Sequence, residues 1–159
     1  MNALPSVRLQ TSQWKLPMRR RGGDAMSQGR RRQPMDQLDK DLDGLRVLIV
    51  EDEPLISFML QEMVEDLGCQ VAGMFVGVAD ALEACRGDDF DVALLDLNLA
   101  GERVDPVADE LVRQGRPFAL ACGSSIDDGG IGEAAIMPKP YTVAELATVL
   151  RRLRAALAG

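Results

Sequence analysis

Hydrophobic positions between residues 45 and 157 alternate between short continuous runs and helical stripes. Residues 46–50 form an apolar run of strand length, fit for a central strand buried on both faces. Pro54 then stands where a first helical residue tolerates it. Ile56, Met59, Leu60, Met63, Val64 and Leu67 recur at three- and four-residue spacing until Gly68. The same reasoning predicts strands over 69–76, 90–95, 118–122 and 134–137, a small helix over 78–86, and a helix over 106–114 that stops at Gly115. The last helix has the clearest start, because Thr142 with Glu145 three residues on is a capping box. Leu146, Val149, Leu150 and Leu153 make its stripe, and Arg151, Arg152 and Arg154 lie at the negative end of its dipole. Five strand–helix units predict an α/β fold built on a doubly wound, five-stranded parallel sheet. Residues 124–133 should hold the fourth helix, yet they include Asp127, Asp128, Gly129, Gly130 and Gly132, so this helix is expected to be short or degenerate.

Composition changes the picture at the N-terminus. Residues 1–42 mix Pro, Gly, Gln and Ser with two Arg triplets and show no apolar period, which predicts a disordered basic extension before a domain over 43–159. An upstream start codon, with Met26 or Met35 as the true beginning, accounts for the same stretch. Residues 1–40 hold nine Lys or Arg against three Asp or Glu, whereas residues 41–159 hold nine against twenty-two. So acidic a domain is poorly suited to nucleic acid, whose affinity rests on neutralising phosphates, and any such binding would need the basic tail. Cys69, Cys85 and Cys122 are odd in number and lie inside strand and helix patterns, which fits reduced thiols and the cytoplasm. No apolar run reaches the roughly 18 residues of a membrane span.

The candidate chemistry sits where strands end. Glu51, Asp52 and Glu53 follow the first strand, Asp96 the third, Cys122 closes the fourth, and Lys139 follows the fifth. In an open parallel sheet the ligand site lies at the carboxyl ends of the strands, so these residues can converge. A single acidic residue after a strand is commonly a solvated loop residue or a helix cap. Several brought together repel one another unless a cation sits among them, and Mg²⁺ takes one or two carboxylates with water and phosphate oxygens. An Asp can also act as the nucleophile that accepts a phosphoryl group, and Lys139 can hold a phosphoryl oxygen as a point charge.

Over about residues 45–157 the chain resembles the receiver domain of two-component response regulators. The matching pieces are Val47-Leu48-Ile49-Val50-Glu51-Asp52-Glu53, Leu94-Leu95-Asp96-Leu97-Asn98-Leu99 and Lys139-Pro140-Tyr141. Asn98-Leu99-Ala100-Gly101-Glu102, Pro106-Val107-Ala108-Asp109 and Pro117-Phe118-Ala119-Leu120-Ala121-Cys122-Gly123 are similar to single-domain receivers with a Pro-Phe-x-Phe-Ala-Thr-Gly-Tyr-Gly motif. The resemblance implies the flavodoxin-like strand order 2-1-3-4-5 and phosphoryl transfer from a histidine kinase or histidine phosphotransferase onto Asp96. It further implies Mg²⁺ on Glu51, Asp52, Asp96 and the Asn98 backbone carbonyl, Lys139 on the phosphoryl oxygens, and a cis Lys139-Pro140 bond.

The departures are specific. Cys122 takes the place of the family's switch Thr or Ser, and a thiol is a weak donor. Ser124 stands where the subfamily has Tyr and offers a hydroxyl two residues on. Ile136 stands at the place of the aromatic switch found in many receivers. The leading expectation is a stand-alone, self-catalysed phosphoacceptor that signals through protein contacts, since neither flank is patterned as an effector domain. The alternative is a pseudo-receiver that binds a partner without phosphorylation. A metabolic phosphatase is disfavoured, because Asp96-Leu97-Asn98 lacks a second Asp two residues on to act as general acid.

Overall fold

A computed structural model describes residues 41–123 and 134–158 of the chain. The proposed extension before residue 41, the degenerate fourth helix over 124–133 and the Ser124 hydroxyl lie outside the described residues. Asp41 and Leu42, which composition assigns to the extension, are described within a turn. Leu42 is fully buried beneath the sheet, where its carbonyl accepts from the Leu45 N–H at 3.1 Å and from the Cys69 thiol at 3.5 Å. One apolar side chain set among polar neighbours carries no period, so composition alone placed the boundary too late.

The elements follow the alternating pattern: β1 (Arg46–Val50), α1 (Pro54–Asp66), β2 (Gln70–Phe75), α2 (Val78–Cys85), β3 (Val92–Asp96), β4 (Asn98–Leu99), β5 (Glu102–Arg103), α3 (Asp105–Gln114), β6 (Phe118–Cys122), β7 (Ala135–Pro138) and α4 (Val143–Leu157). Five parallel strands order as β2-β1-β3-β6-β7, the flavodoxin-like order once the short β4–β5 pair is set aside. Strand alternation then divides the core. Val47, Ile49, Val92, Leu94, Ala119, Ala121 and Met137 pack with α1 and α4, while Leu48, Val50, Ala93, Leu95, Phe118, Leu120 and Cys122 pack with α2 and α3. Central strands buried on both faces explain why residues 46–50 and 92–95 read as continuous apolar runs.

Local signals set the element ends. Thr142 caps α4 by accepting from the Glu145 N–H at 3.3 Å while the Glu145 carboxylate accepts from the Thr142 N–H at 2.7 Å. Gly115 ends α3 in the left-handed region at φ 69, where its N–H meets the Val112 carbonyl and that of Arg116 meets Leu111. The register of β2 against β1 shifts between Val47 and Leu48, where Val71 and Gly73 face successive β1 residues. Met74 then comes opposite Ile49, on the α1 side of the sheet, and its sulfur accepts from the Ser57 hydroxyl at 3.7 Å. On the outer surface, Leu55, Phe58 and Met59 of α1 and Met74 and Val76 at the end of β2 are exposed.

Candidate functional site

Because every strand of the main sheet runs the same way, the residues at their carboxyl ends gather at one edge. Glu51 and Asp52 follow β1, Asp96 closes β3, and Lys139 follows β7. One carboxylate oxygen from each of Glu51, Asp52 and Asp96 lies within 4.8 Å of the others. Glu51 is only 2% exposed, and Asp52 and Asp96 are half-buried. The Lys139 ammonium bridges two of them, donating at 2.8 Å to Glu51 Oε2 and at 2.8 Å to Asp96 Oδ2.

Each carboxylate is also held by a main-chain N–H. Glu51 Oε1 accepts from Glu53 at 3.1 Å, Asp52 Oδ2 from Ala100 at 2.8 Å, and Asp96 Oδ1 from Asn98 at 3.3 Å. These donors pre-orient charges whose mutual repulsion works against the cluster. Burial pushes the Glu51 carboxyl above its ordinary range, and the hydrogen bonds from Lys139 and Glu53 only partly offset it. Burial alone would lower the Lys139 pKa, but the bonds to Asp96 and Glu51 outweigh it, and the ammonium is held more firmly protonated than usual.

Three carboxylates against one ammonium leave two negative charges. An all-oxygen donor set with that residual charge fits a hard divalent cation such as Mg²⁺, which takes carboxylate and carbonyl oxygens. Asn98 lies beside the cluster with its backbone N–H on Asp96, and its side chain is exposed. The Lys139-Pro140 peptide is cis. Tyr141, next in the chain, is buried, and burial pushes its hydroxyl up to about 12.

A family model for the response regulator receiver domain matches residues 47–115. The transcriptional regulatory protein CutR of Streptomyces coelicolor is 31% identical over 116 residues, which are 69% of this chain and 53% of CutR. The chain thus spans about half the length of the curated relatives it matches. Among solved structures, the receiver domain of PhyR from Erythrobacter litoralis is 28% identical with a TM-score of 0.61, covering 70% of this chain and 90% of that one. SdrG from Sphingomonas melonis Fr1 is 35% identical with a TM-score of 0.59, covering 75% of this chain and 98% of SdrG. The chain belongs to the response regulator receiver family.

In this receiver, Cys122 is buried at the end of β6, within the apolar cluster that includes Leu95, Leu97, Leu99 and Val104. Its carbonyl accepts from the Lys139 N–H at 2.7 Å, so β6 fixes the main chain that carries the lysine. Ile136 is 36% exposed on β7, on the opposite face from Ala135 and Met137. The other two thiols are structural: Cys69 and Cys85 are buried and pushed up to about 11. No helix among the described residues is long and apolar enough to cross a membrane.

Two features of the site escape sequence reasoning. Glu51, taken as a metal ligand, also accepts the Lys139 ammonium, and Asp52 contacts the tip of an antiparallel hairpin that pairs Asn98 with Arg103 and Leu99 with Glu102. Two-residue strands are too short for a period, but Ala100-Gly101 between Leu99 and Glu102 is a possible turn signal.

Proposed function

We propose that this receiver is a phosphoacceptor in a two-component system, taking a phosphoryl group onto Asp96 from a histidine kinase or histidine phosphotransferase in the cytoplasm. The observation that carries this reading is Lys139 bridging Glu51 and Asp96 inside a three-carboxylate cluster. Asp96 is the nucleophile: its carboxylate attacks phosphorus while the bond to the donor histidine nitrogen breaks. Lys139 exchanges its contact with Asp96 for the incoming phosphoryl oxygens. Glu51, Asp52, Asp96 and the Asn98 carbonyl would hold Mg²⁺, which when bound screens the negative charge brought together by transfer. Motif similarity supports placing the chain with the single-domain Pro-Phe-x-Phe-Ala-Thr-Gly-Tyr-Gly receivers, with output through protein contacts.

Acetyl phosphate with Mg²⁺ is expected to add one phosphoryl group to the wild-type chain, seen by intact-protein mass spectrometry, and none to Asp96→Ala. Equal labelling of both removes Asp96 from the role. A second reading, a pseudo-receiver that binds its partner constitutively, draws support from Cys122, whose thiol lies in an apolar cluster instead of a hydroxyl at the switch position. It gains if neither acetyl phosphate nor a cognate kinase labels the wild type.

A phosphodonor protein needs a surface beside Asp96. The α1 side chains Leu55, Phe58 and Met59 are 74%, 57% and 41% exposed, and α1 begins two residues after Asp52. Exposed apolar groups so grouped suit a protein contact. Phe58→Glu is expected to slow transfer from a cognate kinase by at least about tenfold, the worth of one interface anchor. Labelling by acetyl phosphate, which needs no docking surface, should be unchanged. Equal loss with both donors would mean that the substitution damages the fold.

A further inference from the structure

Ala100 is the one non-glycine residue with positive φ among the described residues, at 51, and Gly101 follows at 89. They are the two central residues of the β4–β5 loop, and two positive φ values there belong to the type I′ turn, whose twist matches that of the strands. An alanine there is disfavoured by its Cβ. The conformation delivers the Ala100 N–H to Asp52 Oδ2 at 2.8 Å. Below the turn the hairpin is anchored: the Leu97 N–H donates to the Ala121 carbonyl at 3.1 Å and the Val104 N–H to the Leu97 carbonyl at 3.2 Å. Leu97, Leu99 and Val104 are buried with Val107 and Leu111 of α3.

We propose that the Ala100 N–H is a positioning group for the acidic site, holding Asp52 by one oxygen so that the other is presented to a divalent cation. The proposal rests on reading Asp52 as a cation ligand. Its consequence is reciprocal: if the ordered hairpin raises cation affinity, cation binding must rigidify the hairpin by the same factor. Residues 98–103 then report the state of the acidic site to α3 through Leu99 and Val104, a route that does not require a hydroxyl at position 122.

The N–H alone is removed by assembling the full chain with lactate in place of Ala100, an ester that keeps the methyl group and the turn. Mg²⁺ affinity is expected to fall about tenfold, in line with one hydrogen bond to a charged acceptor. Amide hydrogen exchange followed by NMR in a chelating buffer gives a second readout. Asp52→Asn keeps an accepting oxygen, so the Ala100 amide should stay protected although Mg²⁺ binding is lost; Asp52→Ala should release amides 98–103 while the central strands stay protected. Adding Mg²⁺ to the wild type should slow exchange at 98–103. Wild-type Mg²⁺ affinity in the ester variant, or an Ala100 amide indifferent to Asp52→Ala, overturns the proposal. A wild type that binds no Mg²⁺ instead overturns the cation reading of Asp52. The exchange comparison between the two Asp52 variants still decides whether the hairpin holds that carboxylate.

Discussion

Lys139→Met is expected to cost the folded domain about 3–5 kcal/mol in a chelating buffer near neutral pH, the usual penalty for removing one partner of a buried ion pair. The loss is large because one ammonium serves two carboxylates, and the Glu51 and Asp96 side chains are only 2% and 14% exposed. Methionine keeps the length of the stem and removes the charge. The pH dependence follows from Glu51, which burial already raises above its ordinary 4.5 with Lys139 in place. Without the ammonium it is raised further. A group with a raised folded pKa contributes stability that is complete below the unfolded value and is lost as pH rises through the folded value. The variant should therefore weaken from about pH 4.5 upward more steeply than the wild type, and acidification should shrink its deficit. The same sign applies to the wild type at the alkaline end: Lys139, raised above 10.5, contributes stability that is lost only as pH climbs through its folded value. Urea unfolding of both proteins at pH 5 and pH 8 reads the difference. A deficit below about 1 kcal/mol, the range of an exposed pair, or one that does not change with pH, would show that Lys139 is not the group holding the cluster together.

How legible this was in the chain depends on the kind of signal. Five parallel strands announce themselves because strands buried on both faces need continuous apolar runs, and the carboxyl-end rule then brings Glu51, Asp52, Asp96 and Lys139 to one edge without any distance being known. Pairing within that edge is a different matter. Nothing in the order of residues says that Lys139 contacts Glu51 as well as Asp96, since Glu51 and Lys139 are 88 positions apart. The hairpin escaped because each of its strands has two residues, and Leu42 because a lone buried side chain has no period. Cys122 was legible as a substitution, but its packing with Leu97, Leu99 and Val104 depends on where the hairpin lies.

Glu51→Gln is expected to separate stability from cation binding. At neutral pH the ionised Glu51 opposes folding, because burial outweighs what Lys139 and Glu53 return, so removing its charge relieves a cost. Glutamine fits the space, its oxygen accepts one of the two donors that Glu51 satisfies, and Lys139 keeps Asp96. In a chelating buffer the variant should melt no lower than the wild type. With Mg²⁺ the order reverses. At tenfold excess over Kd a bound cation adds about 1.4 kcal/mol to the wild type, or roughly 5 °C in Tm for a domain of this size. The substitution removes one anionic ligand and one of the two uncompensated negative charges, so this gain should vanish from the variant. Acidification should also erase the wild-type gain, beginning above the ordinary glutamate range, because protons and Mg²⁺ compete for the same raised carboxylate. Thermal melts of both proteins with and without Mg²⁺ at pH 5, 6.5 and 8 test all of this together. If Glu51→Gln keeps the full Mg²⁺ gain, Glu51 is a structural partner of Lys139, and cation binding rests on Asp52 and Asp96 alone.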